Sequence, residues 1–490
     1  MLVQTVFDRG RRELWCVALL ATALVMLRSA PFLLFPYIDF DSDQAILGLM
    51  AKHLSEFRTF PLFYYGQNYM LGATAWVIAP LFWIGRPSVA LMKLPLLIAN
   101  IAVAVVLVRL LAGNLRLRPA VAFMAALPFI VPPPVMSGIL LQGVEPVLYV
   151  LVLWVLRRRP IAFGALLAFG FIHREFTIYA LPALALVSLA DGSFWSDGAI
   201  RRYAQAVGGF ALVWLIIDAA KRFLYGNSLA LQAQQLGNVL CIAGPRFQDR
   251  VRFVLADVWP LVVGGTPNPL DHYAMRSSAV VGSTVIGWIA SAAVLLMIVR
   301  VAWLWRSRSG KPSIAFAAYL ALVGCCSLAA YTLTCAFAFP VVRYVYLAML
   351  LPVGCFAALM AWEPSKWTRA AAIAIFALCG AANLADNGRV LREAYVNPQP
   401  DPHGELTEFL LGHQIRYARA SYWDSYVVDF LSRERVIVAS TGPVRIPEYQ
   451  RRVDENGDGA ATIQRMPCDG QWRVAAWCIQ IPNQSAEGAR

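Results

Sequence analysis

An α-helical protein that crosses a membrane many times, with a small α/β domain at its carboxyl end, is the fold class this chain predicts. Three observations predict it. The 490 residues are 59% apolar and only 14% charged, and the mean hydropathy is +0.58, so the apolar surface exceeds what one water-facing globule would bury. Apolar runs of membrane-crossing length recur from residue 14 to residue 385. After Asp386 the composition turns to that of a water-soluble unit of roughly 100 residues, a size that holds a small core. The net charge of +13 comes from small basic groups between apolar runs and not from one continuous patch, which argues for topology and against nucleic acid.

Apolar runs, read against a crossing length of roughly 17 to 25 residues, lie at 14–35, 89–112, 119–136, 145–156, 161–172, 176–190, 204–220, 278–304, 314–339, 344–362 and 368–385. That predicts about eleven spans, several of them short. The run 72–85 is about 14 residues long and reads as a helix lying in the interface. Charge supports this choice. With Arg9, Arg11 and Arg12 cytoplasmic and 72–85 not spanning, the inside connections carry Arg116 and Arg118, Arg157 to Arg159, Arg201 and Arg202, Arg306, Arg308 and Lys311, then Lys366 and Arg369. Every short inside loop is then basic, as the positive-inside rule requires. The first span contains Arg28 and lacks a small-x-small cleavage site, so it reads as an uncleaved anchor.

This topology divides the chain into a transmembrane domain, 1–385, and an extracytoplasmic α/β domain, 386–490. In the latter, 405–411 and 425–431 read as helices, and 415–420 and 435–439 as strands. Cys468 and Cys478 flank a turn signal and an alternating stretch from Trp472 to Ile481, a hairpin that an oxidising compartment would bridge. Cys241 is left as an odd thiol, and six of the nine cysteines lie in apolar spans as packed thiols. Asp454 to Gly459 resembles the start of a calcium loop, but its twelfth position is Arg465 where a bidentate Glu is required, so it reads as a solvated turn.

Unusual polar chemistry gathers on the outer face. Ile38-Asp39-Phe40-Asp41-Ser42-Asp43-Gln44 follows the first span directly. One Asp reads as the cap of the helix that starts there. Three carboxylates in five residues exceed a capping need, and their repulsion near low dielectric raises at least one pKa toward the range of a general base. Phe60 to Tyr69 is rich in aromatic and amide side chains, fitting an interfacial belt or a cradle for a sugar. Arg174 in His173-Arg174-Glu175, and Arg343, offer guanidinium forks to an anionic phosphate. Arg174 would otherwise pair with Glu175 or Glu145, and Arg343 would otherwise snorkel.

The order of basic amino terminus, one span, acidic cluster, Gln44-Ala45-Ile46-Leu47-Gly48-Leu49-Met50-Ala51, Phe60-Pro61-Leu62-Phe63-Tyr64-Tyr65-Gly66-Gln67 and a short interfacial helix ending at Gly85 resembles the GT-C membrane glycosyltransferases. It looks most like the bacterial family 39 group related to protein O-mannosyltransferases and to the lipid A aminoarabinose transferase. The resemblance covers the first 190 residues well, the later spans loosely and the tail hardly at all. It places a catalytic carboxylate at Asp43 with Asp41 completing an Asp-x-Asp pattern, and it matches an acidic residue followed by proline at Glu145-Pro146. The aminoarabinose transferase carries Glu-Lys-Pro where this chain has Gln67-Asn68, which puts the donor or its phosphate contact in question.

The resemblance implies a hexosyl- or pentosyltransferase of the bacterial inner membrane. It would move a sugar from a polyprenyl-phosphate donor to a lipid, glycan or protein acceptor on the periplasmic face. Asp43 would be the base of an inverting displacement, and the substrate-binding candidates are Glu145, His173, Arg174, Arg343, Tyr65, Gln67 and Lys52. A divalent metal stays unassigned, with Asp41, Asp43 and Glu145 as the oxygen ligands on offer. The rival class is a transporter of a small polar or lipid-linked substrate, which predicts internal repeats and charges near the midplane; here the charges gather at one set of helix ends.

Overall fold

The computed structural model describes residues 2–229, 247–264, 283–306, 312–333, 342–398, 401–456, 459–468 and 470–481. They divide into two compact units. The first joins residues 1–31 to 96–392, and the second joins residues 32–95 to 393–490. The segment after the first span therefore groups with the carboxyl-terminal stretch.

The first unit is built from apolar helices. Each of the eleven runs read from the sequence contains helix. Among the described residues six helices are long and apolar enough to cross a membrane: Arg12–Leu34, Val89–Leu115, Ala199–Tyr225, Val285–Trp305, Ala315–Thr332 and Lys366–Val396. A seventh candidate is the pair Pro119–Ile130 and Pro134–Leu140, bent by 87°, where Pro132, Pro133 and Pro134 deny the backbone its helical hydrogen bonds. Glu145–Leu156, Pro160–His173, Glu175–Ala190 and Tyr346–Trp362 are shorter apolar helices. At 1.5 Å rise per residue the shortest of these falls well below the roughly 30 Å of a hydrocarbon core. Leu212, Leu215 and Ile216 stand exposed, as side chains do when lipid is the solvent.

Close helix approach in this unit depends on small residues. A methyl group added at Gly164 would come within 1.8 Å of the Ala206 carbonyl oxygen, and one at Gly209 within 2.2 Å of that of Ile161. The helices Pro160–His173 and Ala199–Tyr225 thus meet backbone to backbone. Arg28 is fully buried and donates to Asn100 Oδ1 at 2.8 Å.

In the second unit the chain leaves the first span through a 3₁₀ turn, Pro36–Asp39, and enters the helix Ser42–Ser55, of which every residue but Asp43 is buried. A hairpin follows, β1 (Phe63–Tyr64) and β2 (Gln67–Leu71), and then the helix Ala73–Ile84, within the run expected to lie in the interface. The carboxyl-terminal part forms a five-stranded sheet from β3 (Tyr417–Ala420), β4 (Ile437–Ser440), β5 (Ala461–Arg465), β6 (Trp472–Val474) and β7 (Trp477–Gln480). Its order is β4-β3-β5-β7-β6. β3 runs parallel to β4 and β5, and the remaining pairs are antiparallel. The helix Tyr422–Leu431 links β3 to β4, and the helices and strands expected from sequence at 405–411, 415–420, 425–431 and 435–439 all appear within three residues of those bounds.

Helix Tyr422–Leu431 serves two cores. Val428 joins Leu406, Leu410 and Trp477 in one, while Tyr426, Val427 and Phe430 pack against Ala45, Leu49 and Met50 in the other. Cys468 and Cys478 are bridged, with Cα atoms 6.1 Å apart, and Cys241 lies outside the described residues. Asp454 accepts from Arg419 at 2.8 Å, Arg465 pairs with Asp424 at 2.8 Å, and Gly457 and Asp458 lie outside the described residues.

Two carboxylates of this unit titrate in opposite senses. Burial pushes Asp429 well above the usual range, the hydrogen bond from the Val438 amide opposing it, which reaches Oδ1 at 2.7 Å. Burial also pushes Glu434 upward, but hydrogen bonds from His53, Arg58 and Lys52 outweigh it and hold Glu434 well below the carboxylate range. A raised folded pKa gives stability that is complete below the unfolded value, about 3.9 for Asp, and is lost as pH rises. Asp429→Asn keeps the acceptor for Val438 and removes the buried charge, so it should raise the melting temperature at pH 7 and leave it unchanged near pH 4, read by thermal shift of detergent-purified protein. For Glu434 the sign reverses: its stabilisation is complete above an unfolded value of about 4.3 and is lost as pH falls through the folded pKa. Glu434→Ala should cost about 3–5 kcal/mol at pH 7 and flatten the loss of stability between pH 5 and 3, measured by hydrogen exchange over residues 401–481.

Candidate functional site

The helix Ser42–Ser55 starts where its sequence says it should. Asp41 is its cap, accepting from the Gln44 amide at 2.9 Å. Asp39 is buried, and its carbonyl accepts from Lys93 Nζ at 2.6 Å and from the Gln44 side chain at 3.1 Å. That leaves Asp43, in the first turn and half-buried, as the carboxylate with neither role.

Asp43 is held by two tyrosines. The Tyr422 hydroxyl donates to its Oδ1 at 2.5 Å, and the Tyr64 hydroxyl donates to its backbone carbonyl. Ser42 Oγ donates to the Tyr422 carbonyl at 2.6 Å. Arg445 completes the surroundings. Its guanidinium stands 5.6 Å from the centroid of the Tyr422 ring, and Nη1 donates to the Gly66 carbonyl at 2.9 Å. Burial, the nearby Asp43 charge and the hydrogen bond to Asp43 push the Tyr422 phenol up, so that it stays a donor at neutral pH.

Lys52 and Tyr65 lie elsewhere. Nine residues separate Lys52 from Asp43 along one helix, about 14 Å of rise. There the Lys52 ammonium binds Glu434 and Glu56. His53 joins Tyr65 Oη at 2.9 Å and Glu434 at 3.0 Å, and Tyr449 donates to Glu434 at 2.8 Å. Tyr64 closes β1 and reaches Asp43, while Tyr65, in the turn that follows, reaches His53. Gln67 pairs with Tyr64 in the hairpin register.

In the first unit, Glu145 opens the helix Glu145–Leu156 and is largely buried. Arg174 Nη2 stands 3.8 Å from its Oε1. A methyl group at Gly143 would fall 3.0 Å from Glu145 and 3.4 Å from Arg174, so the small residue leaves room for the pair. His173 is buried and shares a 2.7 Å hydrogen bond with Tyr149. Arg343 stands 5.4 Å from the centroid of the Tyr344 ring, and that ring packs on Phe176 at 5.9 Å. Among the described residues no group of three or more His, Cys, Asp and Glu side chains is placed to hold a metal ion.

Sequence reasoning missed Tyr422, Arg445 and Glu434. Tyr422 lies 379 residues from Asp43, in a stretch read only as a small α/β unit, and no local pattern marks it. No family model matches the chain, and no curated protein matches it. Among solved structures it is similar to ArnT from Cupriavidus metallidurans bound to undecaprenyl phosphate, at 11% identity and a TM-score of 0.57, over 96% of this chain and 99% of that one. The chain has the ArnT-like fold, a polytopic helical membrane domain with a small carboxyl-terminal sheet domain.

Proposed function

We propose that this protein is a membrane glycosyltransferase that takes its sugar from a polyprenyl-phosphate donor at the outer face of a bacterial inner membrane. The observation that carries the reading is the fold likeness to an undecaprenyl-phosphate-bound ArnT over nearly the whole of both chains. Asp43, on a buried helix with a hydrogen-bonded carboxylate, is the group we assign as base. It takes the proton of the acceptor hydroxyl as that oxygen attacks the anomeric carbon. The bond from that carbon to the phosphate oxygen breaks, and polyprenyl phosphate leaves with the electron pair. One such displacement inverts the anomeric configuration. Arg174 or Arg343 is assigned to the leaving phosphate, because a guanidinium meets phosphate oxygens with a fixed fork of donors. Asp41 and Glu145 orient the reactants. Residues 386–490 are assigned to the periplasm and the amino terminus to the cytoplasm, in keeping with the basic inside loops.

Transfer of radiolabel from a panel of undecaprenyl-phosphate sugars by purified protein in lipid tests the reading. Asp43→Asn should lower turnover at least about 100-fold; wild-type turnover in this variant removes Asp43 as base. No transfer by wild type, together with uptake into sealed vesicles, would favour a transporter. Arg174→Lys keeps the charge and loses the fork. It should raise the donor KM about 10-fold with an unchanged melting temperature, whereas a purely structural pairing with Glu145 would lower the melting temperature and leave KM alone.

A further inference from the structure

We infer that Tyr422, from the carboxyl-terminal sheet domain, is a positioning residue for Asp43, so that this domain is a working part of the reaction centre and not an appended module. The inference rests on the reading of Asp43 as base. In sheets of parallel strands linked by helices, ligands and reacting groups gather beyond the carboxyl ends of the strands, because the connecting loops open there. β3 and β4 are parallel, and the residues just past their carboxyl ends include Tyr422, two beyond Ala420, and Arg445, five beyond Ser440. The side chains of both turn to the Asp43 end of the helix Ser42–Ser55: Tyr422 donates to Asp43 Oδ1 at 2.5 Å, and Arg445 binds the Gly66 carbonyl at 2.9 Å and lies by the Tyr422 ring.

The contact is held on more than one side. Ser42 Oγ donates to the Tyr422 carbonyl at 2.6 Å, fixing the backbone of the phenol's own residue. The Tyr426 hydroxyl accepts from the Arg445 amide at 2.6 Å, fixing the loop that carries the guanidinium. With Tyr64 on the Asp43 carbonyl, the carboxylate keeps one oxygen in a fixed hydrogen bond, and its rotation about the side-chain torsions is restricted. A base gains rate from being held in the attacking geometry, and a misplacement of about 1 Å is costly. Tyr422 needs no contact with substrate to act in this way.

Tyr422→Phe removes the hydroxyl and keeps the ring that packs on Tyr426, at a centroid distance of 5.6 Å. Turnover should fall about 10- to 100-fold, the worth of a hydrogen bond to a charged group, with the donor KM and melting temperature near wild type. In an Asp43→Asn background the same substitution should cost nothing more, since the two residues act as one unit. Coupling of Asp43 to glycine ethyl ester by a water-soluble carbodiimide, followed by mass spectrometry, needs no donor and should run faster in Tyr422→Phe. Loss of turnover in Asp43→Asn with wild-type turnover in Tyr422→Phe overturns the inference and leaves the base assignment standing. Full turnover in Asp43→Asn overturns both. Equal carbodiimide coupling in wild type and Tyr422→Phe shows that the hydroxyl does not restrain the carboxylate and overturns the inference whatever the donor.

Discussion

Burial of the helix Ser42–Ser55 is the constraint on which the second unit depends. It packs against the helices Ala73–Ile84 and Tyr422–Leu431, and its central stretch Ala45–Ala51, with no polar side chain on any face, has no stable place except inside. The approach is close enough to dictate single residues. A methyl group at Gly48 would stand 2.5 Å from the Phe430 ring, and that ring also meets Phe40 at 5.6 Å and Phe82 at 6.5 Å. Gly48 is the glycine of the Gln-Ala-Ile-x-Gly stretch, and the space occupied by Phe430 explains why a side chain has no room there.

The same helix sorts charge by its ends. Asp41 caps its start and Asp43 sits in its first turn, with Lys52 and His53 in its last, the arrangement that the helix dipole favours at each end. Each end then receives its partner from the carboxyl-terminal stretch: a phenol for Asp43 and a carboxylate for Lys52 and His53. Lys52, Arg58 and His53 all hydrogen-bond Glu434, which is why that carboxylate stays charged despite burial. Asp429 lies on the same short segment without such company, and burial dominates its titration instead. Neighbouring acids in one domain thus behave oppositely because one has basic partners and the other an amide.

Much of this was legible in the sequence, and the missing parts share a physical cause. Apolar run length located the long helices of the first unit, since a segment in lipid must satisfy its backbone internally, but not the short helices Phe247–Phe253 and Trp259–Val263, which lie between two of the runs. It did not fix which helices cross: Glu145–Leu156 and Pro160–His173 are helical and apolar yet short, and length is the property that hydropathy alone reads least well. The cap at Asp41, the short apolar helix Ala73–Ile84, the four elements of the tail and the Cys468–Cys478 hairpin follow local rules and were readable. Lys52 and Tyr65 were grouped with Asp43 because they are near it in sequence. The rise of the helix and the hairpin turn after β1 carry them to a different cluster. Tyr422, Arg445 and Glu434 obey no local rule at all, because their partners are more than 370 residues away.

A loop between spans is ordered by little besides its own turns. This chain mounts Asp43 on a helix and surrounds the helix with a folded sheet domain, so the carboxylate inherits the rigidity of a core and not the mobility of a loop. The sheet contributes in the way parallel sheets do, through residues beyond the carboxyl ends of its strands, but it presents them to a side chain from the far end of the chain. Ordering the Asp43 segment and folding the carboxyl-terminal domain are then one process, since Phe430 and Tyr422 belong to the domain and Gly48 and Asp43 to the segment.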